Sequence, residues 1–61
     1  MDIESKNWRI RSHAGSLRQL TNKKTGEIRI VNYARDAQHL AAITEKQFDE
    51  EMRTAFNEAK Q

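Results

Sequence analysis

An α+β fold follows from three features of the sequence. Two short segments alternate apolar and polar residues, a turn-forming loop precedes the second of them, and one amphipathic helix closes the chain. The predicted architecture is a two- or three-stranded antiparallel β-meander followed by a short helix and a longer amphipathic C-terminal helix packed on the sheet. A lone hairpin is not stable in water, so the stripe of that helix has to cover one sheet face. With 61 residues, no proline and no linker-like tract, the chain reads as a single small domain, 1–61. It divides into an arm at 1–6, a basic β-meander at 7–33 and an acidic helical region at 34–60.

The polar Asp2, Glu4, Ser5 and Lys6 suggest that residues 1–6 fray. In Trp8-Arg9-Ile10-Arg11-Ser12 the alternation buries Trp8 and Ile10 and turns Arg9 and Arg11 to solvent. Ala14-Gly15-Ser16 reads as a turn. Leu17–Thr21 is the least patterned strand, because Leu17 and Leu20 cannot share a face. Asn22-Lys23-Lys24-Thr25-Gly26 is a hairpin loop: Asn can open a type I turn, and Gly can close it in the left-handed conformation. Glu27–Tyr33 is rich in β-branched residues and alternates through Ile28 and Ile30, which places Arg29 on the solvent side.

Residues 34–42 have helical composition with few large anchors, and a short helix there would turn Tyr33, Ala37, Leu40 and Ala41 inward. Thr44-Glu45-Lys46-Gln47 fits a capping box, with Ile43 and Phe48 placed as its hydrophobic staple. Phe48, Met52, Ala55, Phe56 and Ala59 then form one apolar stripe, and acids crowd the first turns, where the helix dipole favours them.

Several classes of chemistry are excluded. The chain has no cysteine, a mean hydropathy of −0.99 and one-third charged residues, and it lacks an apolar leader or membrane-length run. A soluble cytoplasmic protein with no membrane partner is expected. His13 and His39 stand far apart in different elements with no thiolates nearby, so no metal or other cofactor is expected. Asp49, Glu50 and Glu51 are consecutive and fan around a helix instead of converging on a proton. The serines and threonines have turn, strand or cap roles, and Gly15 and Gly26 are too few for a phosphate loop. No catalytic residue emerges, and the reading is non-enzymatic.

Charge is polarised along the chain. Residues 1–35 carry eight basic against three acidic side chains, net +5, and residues 36–61 carry three against six, net −3. Two candidate surfaces follow. Arg9, Arg11, Arg18, Lys23, Lys24, Arg29 and Arg35 form a candidate face for an anionic partner or a nucleic acid, since cations on a β-ribbon suit a phosphate backbone. Glu45, Asp49, Glu50, Arg53, Asn57 and Glu58 form a candidate protein-partner face on the last helix. Its acidity rules it out as a DNA recognition helix. If the small sheet leaves Phe48, Met52 and Phe56 partly uncovered, that stripe would suit a homodimer or a partner helix.

Strand, strand, a Lys24-Thr25-Gly26-Glu27 turn, strand, then Arg35-Asp36 and a helix loosely resembles the arm-binding domain of tyrosine integrases, over about residues 8–43. That resemblance implies a three-stranded sheet that reads DNA, although aromatic residues expected on such a sheet are missing here. Size sets the order of the functional expectations. A domain this small, without ligands or a catalytic constellation, works by occupying surface. The first expectation is a small regulator or inhibitor that binds a partner protein, with nucleic-acid-handling machinery as a candidate partner, in a phage or mobile-element setting. The second is a direct DNA- or RNA-binding module using the basic sheet. Trp8 and Tyr33 are the apolar residues that could anchor a protein partner, with the core as the favoured place for Trp8.

Overall fold

The computed structural model describes residues 1–59. Its N-terminal half is an antiparallel meander of β1 (Asp2–Glu4), β2 (Trp8–Ala14), β3 (Leu17–Asn22) and β4 (Ile28–Asn32), hydrogen-bonded in that order. The helices α1 (Ala37–Ala42) and α2 (Glu45–Glu58) follow and cover one face. The fold is α+β with the longer helix last, with four strands where two or three were expected. The extra strand comes from the segment read as a frayed arm. Ile3 stands opposite Ile10 and packs against the core, and the Ser12 amide donates to the Met1 carbonyl. Polarity misled there because Asp2 and Glu4 face outward on either side of one inward isoleucine.

Both turns use their glycine as a left-handed residue: Gly15 at φ +58° and Gly26 at φ +81°. In the second, Asn22 Oδ1 accepts from the Lys24 amide and the Asn22 carbonyl accepts from the Gly26 amide. The Asn-to-Gly loop is thus the expected hairpin connection. Asp36 caps α1 by accepting from the His39 amide, and Thr44 caps α2 in a reciprocal capping box with Gln47. Ile43 and Phe48 pack into the same core. In α1 only Leu40 is buried. Ala37 and Ala41, expected inward, are exposed because so short a helix presents a single residue to the core.

The core is one layer between sheet and helices: Trp8, Ile10, Leu20, Val31, Tyr33, Leu40, Phe48, Met52 and Phe56. Trp8 and Tyr33 are therefore interior residues, not free partner anchors. Burying the stripe of Phe48, Met52 and Phe56 is the main attraction between the layers. Polar links then fix where the helix lies. Trp8 Nε1 donates to Asp49 at 2.9 Å near the start of α2, and Tyr33 donates to Glu51 at 2.5 Å at its side. Arg29 Nη1 donates to the Phe56 carbonyl at 2.8 Å near its end.

The last link reverses an expectation. Ile28 and Ile30 were expected inside and Arg29 outside, yet Ile28 and Ile30 are exposed, while Val31 and Tyr33 are buried in the phase of Arg29. The register explains it: Arg29 pairs with the fully buried Leu20, so it must share that face. Its guanidinium lies 4.2 Å from the centroid of the Phe56 ring, which itself tilts against Trp8 at 5.4 Å. α2 has no basic residue in its last turn, so the sheet supplies the cation that its carbonyl end favours. Arg29 Nε is buried without a partner, which offsets part of the gain.

Because Arg29 combines a charged hydrogen bond with a cation–π contact, Arg29→Met should lower stability by about 1–3 kcal/mol in urea denaturation. Ile30→Thr, on the other face, should change it by less than about 0.5 kcal/mol. The opposite ranking would return Arg29 to the solvent side.

Candidate interaction face

With both helices on one side, the other side of the sheet is bare. Strand pairing arranges its side chains in two cross-strand rows. One runs Glu4, Arg9, Thr21, Ile28, and the other Asp2, Arg11, Gln19, Ile30. Each row passes from an acid through a base and an uncharged polar residue to an isoleucine at the β4 edge. Beyond the second row, Leu17 pairs with Asn32. Leu17, Ile28 and Ile30 are 38%, 53% and 45% exposed, so the β3–β4 side of the face is an aliphatic patch.

The charged side is internally paired. Glu4 lies 3.3 Å from Arg9 and 2.6 Å from Lys23, and Asp2 lies 3.5 Å from Arg11. Hydrogen bonds from Lys23 and Arg9, with their charges, hold the Glu4 carboxyl down at about 2. The sequence-based basic face is thus divided. Arg9 and Arg11 lie on the bare face, Lys23 and Lys24 lie at the β3–β4 hairpin tip, and Arg35 lies beyond the far end of β4. Arg29 is under the sheet. Arg18 pairs with Ser12 and Val31 on the helix side, where it donates to the carbonyls of Gly15 and Leu17. The residues missed were Asp2 and Glu4, which compensate Arg9 and Arg11. Their spacing of two, matching that of the arginines, was the available signal.

The helix face is also revised. Glu45, Glu50, Arg53, Asn57 and Glu58 are exposed, but Asp49 turns toward the sheet and accepts from Trp8 and Asn7, with Arg53 alongside. Burial pushes the Asp49 carboxyl up, but the Asn7 and Trp8 hydrogen bonds and the nearby cations outweigh it, and its pKa is lowered. Glu51 follows the same logic: burial raises it, and the bonds from Tyr33 and His39 lower it further than that. Burial, then the Glu51 carboxylate, pushes the Tyr33 phenol well above its ordinary range. His39 Nε2 lies 3.0 and 3.1 Å from the two Glu51 oxygens, and Arg35 stands 3.5 Å from Nδ1. This chain of groups ties α1 to α2.

Among the described residues, no group of three or more His, Cys, Asp or Glu side chains could hold a metal ion, and no helix is long and apolar enough to cross a membrane.

Carboxylates whose pKa is lowered on folding contribute stability above their unfolded pKa and lose it as pH falls through the folded one. The part-buried Asp49 and Glu51 should therefore make the fold acid-sensitive, while Glu4, exposed on the bare face, adds little to that dependence. A carbon-detected NMR titration should place the Glu4 midpoint at about 2, and Lys23→Met should raise it toward 4.5. A wild-type midpoint already at 4.5 would mean that Lys23 and Arg9 are free cations. Comparisons with protein-family models, curated proteins and solved structures find no match to this chain, so the face is interpreted from its own chemistry.

Proposed function

We propose that the chain is a small non-enzymatic regulator or inhibitor that works by binding a partner protein, and that the partner docks on the β3–β4 side of the bare sheet face. The observation that carries this reading is that Ile28 and Ile30 stand next to each other along β4, with Leu17 diagonal to Ile30, all exposed on a face that neither helix covers. Single exposed aliphatics are ordinary on any surface, but neighbouring exposed aliphatics on one uncovered sheet face, rimmed by polar residues, support an interaction site. The rows of Asp2, Glu4, Arg9 and Arg11 supply such a rim.

Direct nucleic-acid binding draws less support. Affinity for a polyanion needs several uncompensated cations converging on one groove. Of the seven candidates, Arg9, Arg11 and Lys23 are paired with carboxylates, and Arg18 and Arg29 face the helix side. Lys24 and Arg35 remain at opposite ends of β4. The proposed setting is cytoplasmic, in a phage, mobile-element or bacterial regulatory context.

The test is the variant Ile28→Thr/Ile30→Thr, which keeps β-branched residues in the strand and removes the aliphatic patch. Its circular dichroism should match wild type, and partner proteins retained by immobilised wild-type chain should be lost. Duplex oligonucleotide should bind weakly in both forms. Tight duplex binding at about 50 mM salt that collapses by about 200 mM, with a log–log slope of several and indifference to the variant, would replace this reading with the nucleic-acid one.

A further inference from the structure

We infer that the partner reaches this face as an extended strand added to the free edge of β4, with aliphatic side chains on its outer face and lysine or arginine on its inner face. The inference rests on the protein-binding reading of the patch and specifies its occupant. The edge comes first. The Asn22 amide donates to the Glu27 carbonyl and the Tyr33 amide to the Ser16 carbonyl. Antiparallel alternation then assigns the backbone groups of Arg29 and Val31 to β3, and those of Ile28, Ile30 and Asn32 to the open side. No strand pairs beyond β4 among the described residues. β4 has neither proline, lysine nor bulge to discourage pairing, and its one inward charge, Arg29, is engaged with Phe56.

The neighbours of that edge define what fits. An added strand extends both cross-strand rows past Ile28 and Ile30, so its outward side chains meet aliphatic surface. Its inward side chains follow the direction of Arg29 and Val31, beside an open groove of ≈ 450 Å³ between Asn32–Tyr33 and α2. Glu50, Glu51 and Glu58 line that groove, with Arg35 as its only basic residue among the described residues. Glu51 is engaged by Tyr33 and His39, whereas Glu50 and Glu58 make no ion pair among the described residues. Charge complementarity therefore favours a basic inner face. It also disfavours a second copy, because two-fold pairing of β4 with itself would bring a second acidic α2 against Glu50 and Glu58. The recognition mode is β-strand addition, with backbone pairing for affinity and alternate side chains for selectivity.

Three labelled synthetic peptides test this by fluorescence anisotropy: one alternating isoleucine with lysine, one alternating isoleucine with glutamate, and the isoleucine–lysine peptide N-methylated at its isoleucines. The lysine peptide should bind about tenfold more tightly than the glutamate peptide, equivalent to about 1.4 kcal/mol. N-methylation should abolish binding, and Glu50→Lys/Glu58→Lys should reverse the preference. Equal affinity for the lysine and glutamate peptides, or undiminished binding of the methylated one, would overturn the inference. So would a wild-type dimer in sedimentation that Ile30→Glu dissociates. If the peptides fail while Ile28→Thr/Ile30→Thr still loses the captured partner, the docking face stands and the strand mode falls. If that variant also retains the partner, both fall.

Discussion

A guanidinium inserted between a sheet and a helix sets the character of this molecule. Arg29 stands on the covered face, lies over the ring of Phe56 and donates to a carbonyl near the end of α2. The pairing with Leu20 that turns Arg29 inward sets the phase of the whole strand: with Arg29, Val31 and Tyr33 turned in, Ile28 and Ile30 face out. Hydrophobic burial does not by itself separate the two phases, since each holds two large apolar residues. The covered phase is supported by Val31 and Tyr33 in the core, by the Tyr33–Glu51 bond, and by a cation at a helix end whose last turn holds no basic residue. Aliphatic surface is left in solvent as a consequence, and the interaction face is the by-product of how the helix is held.

The two faces of the sheet therefore do different work. The covered face carries stability through the Trp8–Phe56–Arg29 stack and the aliphatic and sulfur-bearing side chains around it. The bare face carries little of it, since its ion pairs are exposed and weak and its isoleucines are solvated. Such separation lets the outer rows change without unfolding the domain. It also explains how so small a core can coexist with an exposed apolar patch.

Much of the fold was legible because local signals agreed. The Thr44–Gln47 capping box, the stripe through Phe48, Met52 and Phe56, the Asn22–Gly26 loop and the Trp8–Ile10 alternation each admit one reading, and the structure has all four. Less of the site was legible. A period of two has two phases, and in Ile28-Arg29-Ile30-Val31-Asn32-Tyr33 both contain large apolar residues; only the pairing with Leu20 chooses between them. Asp2-Ile3-Glu4 was too short to register as a strand, so the compensation of Arg9 and Arg11 stayed hidden, and a mixed face looked basic. On the last helix Glu45, Glu50, Arg53, Asn57 and Glu58 are exposed, and Asp49 is not, because its bond to Trp8 depends on tertiary proximity that spacing does not encode.

The most direct measurement is residue-resolved amide hydrogen exchange along β4. Arg29 and Val31 amides, bonded to β3, should be protected to near the global unfolding free energy, while Ile28, Ile30 and Asn32 amides should exchange almost as fast as in an open chain. The reverse alternation, with Ile28 and Ile30 protected and Arg29 open, would mean that the pairing is shifted by one residue. It would then put the isoleucines in the core, release Arg29 to solvent and remove the face on which the functional reading stands.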